Sequence, residues 1–275
     1  MLTEQQRLQF DESGFVKLEA AFSTDAAARM QDIVWEELSR AHGVNRSDPH
    51  SWPNGLVTGL HIKELPVFAV IGSPMVHGAF DELLGPGAWR QPRRWGAFLV
   101  TFPTPGEQWG VPSHVWHADY AFTLEPEPLP ALHVFPLISE VKPRGGGTLI
   151  VAASHRVVAD FVKGRPGESL GNYRRARQAL CASYPWLRDL TSASCADDRV
   201  ERFLEHEGRV GDVPVRVVEL CGRAGDVIIT HPWVLHCRAP NCADVPRFMR
   251  SKGIYWVGAS CSTDGARPDD AGRRP

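Results

Sequence analysis

The residues from Trp95 onward form a succession of short apolar runs, and this feature constrains the fold more than any other. The runs are rich in Val, Ile, Leu and Phe and are separated by turn residues: WGAFLVTF, HVWHADYAF, ALHVFPLI, GTLIVAA, VPVRVVEL, DVIIT and FMRSKGIYWVG. Many short strands separated by turn signals are typical of a β-sandwich or barrel. The sequence therefore predicts a mainly β core within an α+β protein.

The first 94 residues are predicted to form a mostly helical scaffold. Apolar residues recur at helical spacing, and the first two helices each begin after a hydroxyl residue that can accept the first free backbone N–H groups. We predict helices in EQQRLQFDES after Thr3, in DAAARMQDIVWEELSRAHG after Ser23 or Thr24, and in SPMVHGAFDELLG at 73–85, with a short strand in FVKL.

Residues 157–213 are too long for an ordinary connection between neighbouring strands. They include NYRRARQAL and SYPWL, and we predict a helical insertion there that forms a mobile lid or a wall and decides the substrate. The polar segment 258–275 is predicted to be a flexible tail. Neither a repeat nor a linker divides the chain, so we expect one domain over 1–275, with a jelly-roll part at 95–257 following the scaffold at 1–94.

Composition limits the possible partners. The net charge of −2 argues against a nucleic-acid-binding surface. The longest apolar run, PVFAVIG, is too short to span a bilayer, and the N-terminus has no apolar signal core. We expect a cytoplasmic protein that acts on a small molecule, without a nucleic-acid or membrane partner. The six cysteines form no C-x-x-C pair and are expected to be free thiols, and the oligomeric state stays open.

One of these apolar runs also contains polar residues that can bind a metal ion. In HVWHADYAF, His117 and Asp119 are two residues apart, so in an extended strand their side chains lie on one face and can converge on a metal ion. The pair alone is weak, since a histidine that hydrogen-bonds to a carboxylate near a strand end is a common structural feature.

A third ligand and a cation follow later in the chain. His236 lies after the run DVIIT, and Arg247 follows it by eleven residues. Two histidines and one carboxylate leave three open positions on iron, as in non-heme Fe(II) oxygenases. An arginine fork is suited to bind the carboxylate of a second ligand.

These residues resemble the phytanoyl-CoA dioxygenase family of Fe(II)/2-oxoglutarate-dependent oxygenases. The similarity covers about residues 95–257 and rests on WHADY, RGGGTLIVAASHR and GDVIITHPWVLHCRAPN with the PR that follows. It implies a double-stranded β-helix, a cupin-like jelly roll. His117, Asp119 and His236 would bind Fe(II), and Arg247 would bind the distal carboxylate of 2-oxoglutarate.

The resemblance also implies a reaction. O₂ and 2-oxoglutarate would be consumed, succinate and CO₂ released, and an unactivated C–H bond of a small organic substrate, such as a secondary metabolite, hydroxylated or desaturated. Related halogenases lack the carboxylate ligand, so an intact Asp119 favours hydroxylation or desaturation. One departure is Arg238, which stands where the family has a small hydroxyl residue; it either adds a second cation for 2-oxoglutarate or points elsewhere.

Other residues leave alternatives open. Aromatic side chains are candidates for substrate contact, although core packing is an alternative for those on the strand: Trp116, Tyr120, Phe122, Tyr173 and Trp186. We expect His155 and His231 to be structural, Arg174, Arg175 and Arg177 to form a solvated helix face, and Gly145–Gly147 to form a tight turn. The rival functions are a cupin-type metalloenzyme that does not use 2-oxoglutarate and a non-catalytic jelly-roll protein.

Overall fold

The computed structural model describes residues 1–122, 128–163, 165, 170, 173–194 and 198–258, without the side chain of Tyr173. The helices are α1 (Glu4–Ser13), α2 (Thr24–His42), α3 (Pro74–Leu84), α4 (Ser154–Lys163), α5 (Tyr173–Ser183) and α6 (Pro185–Leu190), with 3₁₀ turns at Pro49–Ser51 and Pro66–Ile71 and a π turn at Glu201–Glu205. The strands are β1 (Phe15–Leu18), β2 (Gly55–Val57), β3 (Ala97–Phe102), β4 (Ala131–Pro136), β5 (Thr148–Ala152), β6 (Gly208–Val210), β7 (Val213–Glu219), β8 (Val227–Thr230), β9 (His236–Arg238) and β10 (Arg247–Tyr255).

These strands form two antiparallel sheets that face each other. One has the order β1-β8-β4-β10-β3-β2 and the other the order β6-β7-β5-β9. Apolar side chains from both sheets form the cluster between them: Phe135, Leu137, Val141, Ile150, Leu220, Ile228, Val234 and Met249. The predicted jelly roll with flanking helices is therefore confirmed.

The N-terminal helices cover the outer face of the six-stranded sheet. The α1 helix begins with a capping box between Thr3 and Gln6 and ends at Gly14 in the left-handed conformation, as its sequence predicts. In α2, the Trp35 ring packs edge-on against Phe102 and Phe248, at centroid distances of 5.9 and 5.2 Å. None of the described helices combines the length and apolarity that a membrane span requires.

Strand β10 contributes to both sides of its sheet because its side chains alternate. Phe248 packs in the outer cluster, and the guanidinium of Arg250 lies between the rings of Phe68 and Phe98, at 4.6 and 4.3 Å from their centroids. Met249 points the other way, into the cluster between the sheets. Arg247 and Ser251 share the face of Met249, so they project into the jelly roll.

The segment HVWHADYAF is not a strand, and this prediction is wrong. His117 alone forms an isolated antiparallel bridge, and Val115 just before it has a φ of 59°, which is rare for a β-branched residue. Trp116 and Phe122 are buried in a second apolar cluster. The apolar side chains that made this segment look like a strand instead anchor an irregular segment to the core.

That second cluster lies under the insertion. It joins α4, α5 and α6 to β5 and β7 through residues such as Leu180, Leu187 and Phe203. Of the six cysteines, the structure describes four, Cys181, Cys221, Cys237 and Cys242, and all are free thiols. The predicted tail lies outside the described residues apart from Gly258.

Two buried histidines lie where β8 and α4 meet the end of α1. The backbone N–H of His231 donates to the Gly14 carbonyl, and the rings of His155 and His231 are 4.8 Å apart. Burial lowers the pKa of His155 to about 4 and holds the pKa of His231 well below its usual value. Their hydrogen bonds to backbone groups of Asp11, Gly14 and Trp233 favour the structural roles that we predicted.

The low pKa of His155 predicts a loss of stability in mild acid. Between pH 6.5 and 4 the unfolded chain protonates this histidine and the folded chain does not, so the free energy of unfolding falls as pH falls through that interval. One such group contributes a slope of at most about 1.4 kcal/mol per pH unit. Urea denaturation at pH 7, 6 and 5 measures it.

His155→Gln should make that pH dependence shallower, since glutamine cannot titrate but can still donate to the Asp11 carbonyl that His155 contacts. The exposed His42 in α2 provides a matched control, and His42→Gln should leave the slope unchanged. Equal slopes in all three proteins would mean that His155 does not cause the acid sensitivity.

Candidate metal centre

The two candidate histidine ligands are held together by backbone hydrogen bonds. The N–H of His117 donates to the His236 carbonyl at 2.9 Å, and the N–H of His236 donates back at 2.7 Å. The bridge adds His117 to the edge of the four-stranded sheet beside β9, and the ring centroids lie 4.3 Å apart. The backbone therefore brings together two side chains that are 119 positions apart in the sequence.

Hydrogen bonds also orient each ring. His117 Nδ1 lies 2.8 Å from the Val115 carbonyl, and His236 Nδ1 lies 3.0 Å from the Val234 carbonyl. Each carbonyl oxygen fixes its ring with the proton on Nδ1, which leaves the Nε2 lone pair for a metal. The same arrangement two residues upstream of each ligand indicates that both rings are prepared for the same role.

Asp119 completes the group. Its Oδ1 lies 3.5 Å from His117 Nε2, and its Oδ2 lies 3.4 Å from His236 Nε2. One ligand atom from each of the three residues lies within 4.8 Å of the others. The side chains of His117 and Asp119 are 35% and 27% exposed and that of His236 is 9% exposed, so the group opens to solvent on one side.

The electrostatics keep the carboxylate charged. Burial alone would raise the pKa of Asp119, but charge and hydrogen-bond interactions with His133 and His236 outweigh burial and hold it far below its usual range. Burial would lower the pKa of His236, and Asp119 raises it instead. For His117, burial and the neighbouring His236 lower the pKa. A carboxylate beside two imidazoles could hold a divalent cation.

Arg247 lies inside the jelly roll at the start of β10 and is fully buried. Its guanidinium donates to the Gly146 carbonyl and, at 2.7 Å, to the Thr101 hydroxyl, while its Nε has no partner among the described residues. Burial first and then the charge of Arg238 lower its pKa to about 9, so it stays charged at neutral pH. No described carboxylate forms an ion pair with it.

Two loops position this arginine. Asn241 donates to the Thr101 and Val245 carbonyls, which fixes the turn between β9 and β10. Gly146 adopts a φ of 77°, and a Cβ there would lie 2.9 Å from the Cβ of Asn241. The tight turn predicted at Gly145–Gly147 lies slightly earlier: the Gly145 N–H donates to the Lys142 carbonyl and closes it. Gly146 follows in a bend, where its carbonyl approaches Arg247.

Arg238 lies two residues after His236, with its side chain exposed. Its charge acts on Arg247, so the two cations are near each other. The structure assigns no hydrogen bond to its guanidinium among the described residues. Its contact with 2-oxoglutarate stays a prediction.

Comparison with known proteins gives the fold. No family model matches the chain, and no curated protein is significantly similar to it in sequence. SnoK, a non-heme alpha-ketoglutarate-dependent carbocyclase from nogalamycin biosynthesis, aligns with a TM-score of 0.55 and 16% identity over 93% of this chain and 84% of its own. The chain has the jelly-roll fold of the 2-oxoglutarate oxygenases.

Two further solved structures with this oxygenase fold contain a metal. HygX from Streptomyces hygroscopicus, with nickel and 2-oxoglutarate bound, aligns with a TM-score of 0.51 and 14% identity over 94% of this chain and 88% of its own. EctD from S. alaskensis, with bound Fe, aligns with a TM-score of 0.53 and 18% identity over 93% of this chain and 77% of its own. The narrower resemblance to the phytanoyl-CoA dioxygenase family is not confirmed by these comparisons.

The predicted substrate residues lie in different surroundings. Trp116 is buried and donates from its indole to the Pro112 carbonyl, and Phe122 packs edge-on against Trp233. Trp186 packs against Phe203 in the insertion. These are packing contacts, and they favour structural roles. The side chain of Tyr173 lies outside what the structure describes.

Tyr120 differs from these because it lies beside the candidate metal ligand Asp119. Its hydroxyl donates to the Leu132 carbonyl, and its ring is edge-on to those of His133 and Tyr255, at 6.4 and 5.6 Å. Burial raises its pKa well above the usual value, so the phenol stays protonated. Its contact with a substrate stays a prediction.

Arginines tie the insertion to the segment before the candidate ligand His117, a feature that the sequence analysis missed. Arg177 of α5, which we expected on a solvated face, donates to the Trp116 carbonyl at 2.5 Å, directly before His117. Arg199 donates to the Val111 and Pro112 carbonyls and to three carbonyls of the insertion. Backbone acceptors carry no side-chain signal, so the sequence could not reveal them.

Removing the α5 contact should loosen the segment that carries His117. Arg177→Met keeps the length of the side chain but loses the charged donor, and we expect the free energy of unfolding to fall by about 2 kcal/mol, with weaker Co(II) binding. Urea denaturation and calorimetric titration measure the two effects. Arg174→Met, an exposed arginine of the same helix, is the control. If both variants behave alike, α5 does not support the ligand segment.

Proposed function

We propose that the protein is an Fe(II)- and 2-oxoglutarate-dependent dioxygenase that hydroxylates or desaturates an unactivated C–H bond of a small organic substrate. The observation that carries the proposal is the combination of the His117, Asp119 and His236 group with a buried Arg247 inside one jelly roll, which feels the charge of Glu219 but forms no ion pair with a described carboxylate. The chain's fold is compatible with it.

The donor set fits iron. Two imidazole Nε2 atoms and one carboxylate, with both Nδ1 atoms held by carbonyls, are the donors that non-heme Fe(II) oxygenases use. His117, Asp119 and His236 would hold the ion from one side. The partial exposure of His117 and Asp119 leaves the opposite side accessible to other ligands.

Arg247 fits the cosubstrate. A fully buried cation is costly unless an anion accompanies it, and its buried Nε lacks a partner among the described residues. Arg247 and Ser251 lie four residues apart on β10, and both side chains face the interior. The Ser251 hydroxyl contacts His133, and His133 in turn contacts Asp119. We propose that a dicarboxylate binds with one end at Arg247 and the other at the candidate metal ligands; Arg238 is a second candidate cation.

Different residues of the chain would bind the metal, orient the cosubstrate and limit the access of water. His117, Asp119 and His236 fix the metal, Arg247 orients the cosubstrate, and the apolar interior limits the access of water. When bound, Fe(II) with 2-oxoglutarate and O₂ would supply the oxidation, with release of succinate and CO₂.

The finer assignments belong to the same proposal. We propose membership of the phytanoyl-CoA dioxygenase family on the motifs WHADY and GDVIITHPWVLHCRAPN, and action in the cytoplasm without nucleic-acid or membrane partners. SnoK belongs to nogalamycin biosynthesis, and HygX has been solved with hygromycin B bound. A secondary metabolite is therefore the substrate class that we propose.

The test begins without a known substrate. The iron-loaded protein, kept free of O₂, should gain a visible metal-to-ligand charge-transfer band when 2-oxoglutarate is added, because a 2-oxo acid chelates Fe(II). With O₂ and a metabolite library, succinate formation should rise with the correct substrate. Metal binding without any response to 2-oxoglutarate would favour a cupin-type metalloenzyme, and absence of metal binding would favour a non-catalytic protein.

A further inference from the structure

His133 of β4 is a buried polar residue in an otherwise apolar strand. Its ring projects into the jelly roll, where it stacks on Phe135 with centroids 4.4 Å apart. Its Nδ1 lies 2.6 Å from Asp119 Oδ2, and its Nε2 lies 2.6 Å from the Ser251 hydroxyl. The residue thus joins a metal-ligand candidate to β10.

His133 is not itself among the metal-ligand candidates. The group whose ligand atoms converge contains His117, Asp119 and His236, whereas both nitrogens of His133 face protein groups. Asp119 Oδ2 faces Nδ1, although it lies off the ideal direction for a hydrogen bond from that nitrogen.

We propose that His133 and Ser251 are positioning residues that hold Oδ2 of Asp119, so that Asp119 presents only Oδ1 to the metal. This role requires the tautomer with the ring proton on Nδ1, facing Asp119, in which Nε2 accepts a hydrogen bond from the Ser251 hydroxyl. The inference rests on the metal site of the proposed function and adds two residues that the motifs do not contain.

Holding Oδ2 of Asp119 would affect how many coordination positions of the metal ion stay open to other ligands. A carboxylate that binds through both oxygens takes two coordination positions, so with the two histidines it leaves two on a six-coordinate ion instead of three. A chelating 2-oxo acid and O₂ together need three. By occupying Oδ2, His133 keeps the third position available.

Three variants separate this role from packing. His133→Phe keeps an aromatic ring on Phe135 but removes both nitrogens. His133→Asn places an amide nitrogen near the position of Nδ1 and can still donate to Asp119. Ser251→Ala removes only the hydroxyl that fixes the proton on His133.

The readouts are Co(II) affinity, by calorimetric titration, and the visible absorption of the Co(II) protein, whose intensity depends on coordination number. We expect His133→Phe to weaken Co(II) binding by about 10- to 100-fold and to change the absorption intensity. His133→Asn should recover most of both properties, and Ser251→Ala should shift them in the same direction but less. His155→Gln, a buried histidine away from the ligands, should match wild type.

The outcomes distinguish the two proposals. If wild type binds Co(II) no more tightly than His236→Ala, the proposed function fails and this inference fails with it. If wild type binds Co(II) with the help of His236, but His133→Phe and Ser251→Ala have wild-type affinity and absorption, only the positioning role is overturned. If His133→Phe does not fold, Ser251→Ala and His133→Asn still decide the question.

Discussion

His236→Ala should lose both metal binding and turnover while the chain remains folded. His236 is the most buried of the three ligand candidates, and its Nε2 has no described partner other than Asp119. Loss of an outer hydrogen-bonding partner of a metal ligand already costs about 10- to 100-fold in affinity, so loss of the ligand itself should exceed that range. Calorimetric titration with Fe(II) under nitrogen and a succinate assay measure the two losses.

Cys237 supplies a matched control for this experiment. It follows His236 on β9 but points to the opposite side, where it is buried in the cluster beneath the insertion. Cys237→Ala should therefore bind metal like wild type, and circular dichroism should show the same fold in both variants. Stoichiometric Fe(II) binding by His236→Ala would contradict the assignment of the metal site.

The sequence predicts the β core well because apolar strand residues and turn residues lie next to one another in the chain. ALHVFPLI, GTLIVAA and DVIIT contain β4, β5 and β8. The error at HVWHADYAF has a physical reason: Trp116 and Phe122 supply the apolar content of a strand, but they anchor an irregular segment in the core. His117 and Asp119 still converge, with His117 Nε2 3.5 Å from Asp119 Oδ1, and a backbone bridge brings His117 to His236.

The residues that the sequence analysis missed act through long-range contacts. His133 could have been suspected, because a histidine within the apolar strand ALHVFP needs a polar partner when buried. Its partners, Asp119 and Ser251, are 14 and 118 positions away, and only the folded chain identifies them. Thr101, which binds Arg247, carries no motif at all.

Arg247→Ala should weaken 2-oxoglutarate binding by about 2 to 5 kcal/mol, the usual loss when one partner of a buried, hydrogen-bonded charge pair is removed. With a pKa of about 9, the guanidinium is charged at neutral pH, and it forms no ion pair with a described carboxylate. Arg247→Lys keeps a charge but loses the fork that grips two oxygens, so it should fall between wild type and Arg247→Ala. Calorimetric titration of 2-oxoglutarate into the Ni(II)-loaded protein measures binding without turnover.

Arg238→Ala completes the series, because Arg238 is the other cation near Arg247. If Arg247 anchors the cosubstrate, Arg238→Ala should weaken binding less than Arg247→Ala, and Ni(II) affinity should stay constant in all three variants. Arg247→Ala also leaves the Gly146 carbonyl and the Thr101 hydroxyl without their donor, so thermal unfolding must be compared at the same time. Wild-type 2-oxoglutarate affinity in folded Arg247→Ala, with a loss in Arg238→Ala, would move the anchor to Arg238.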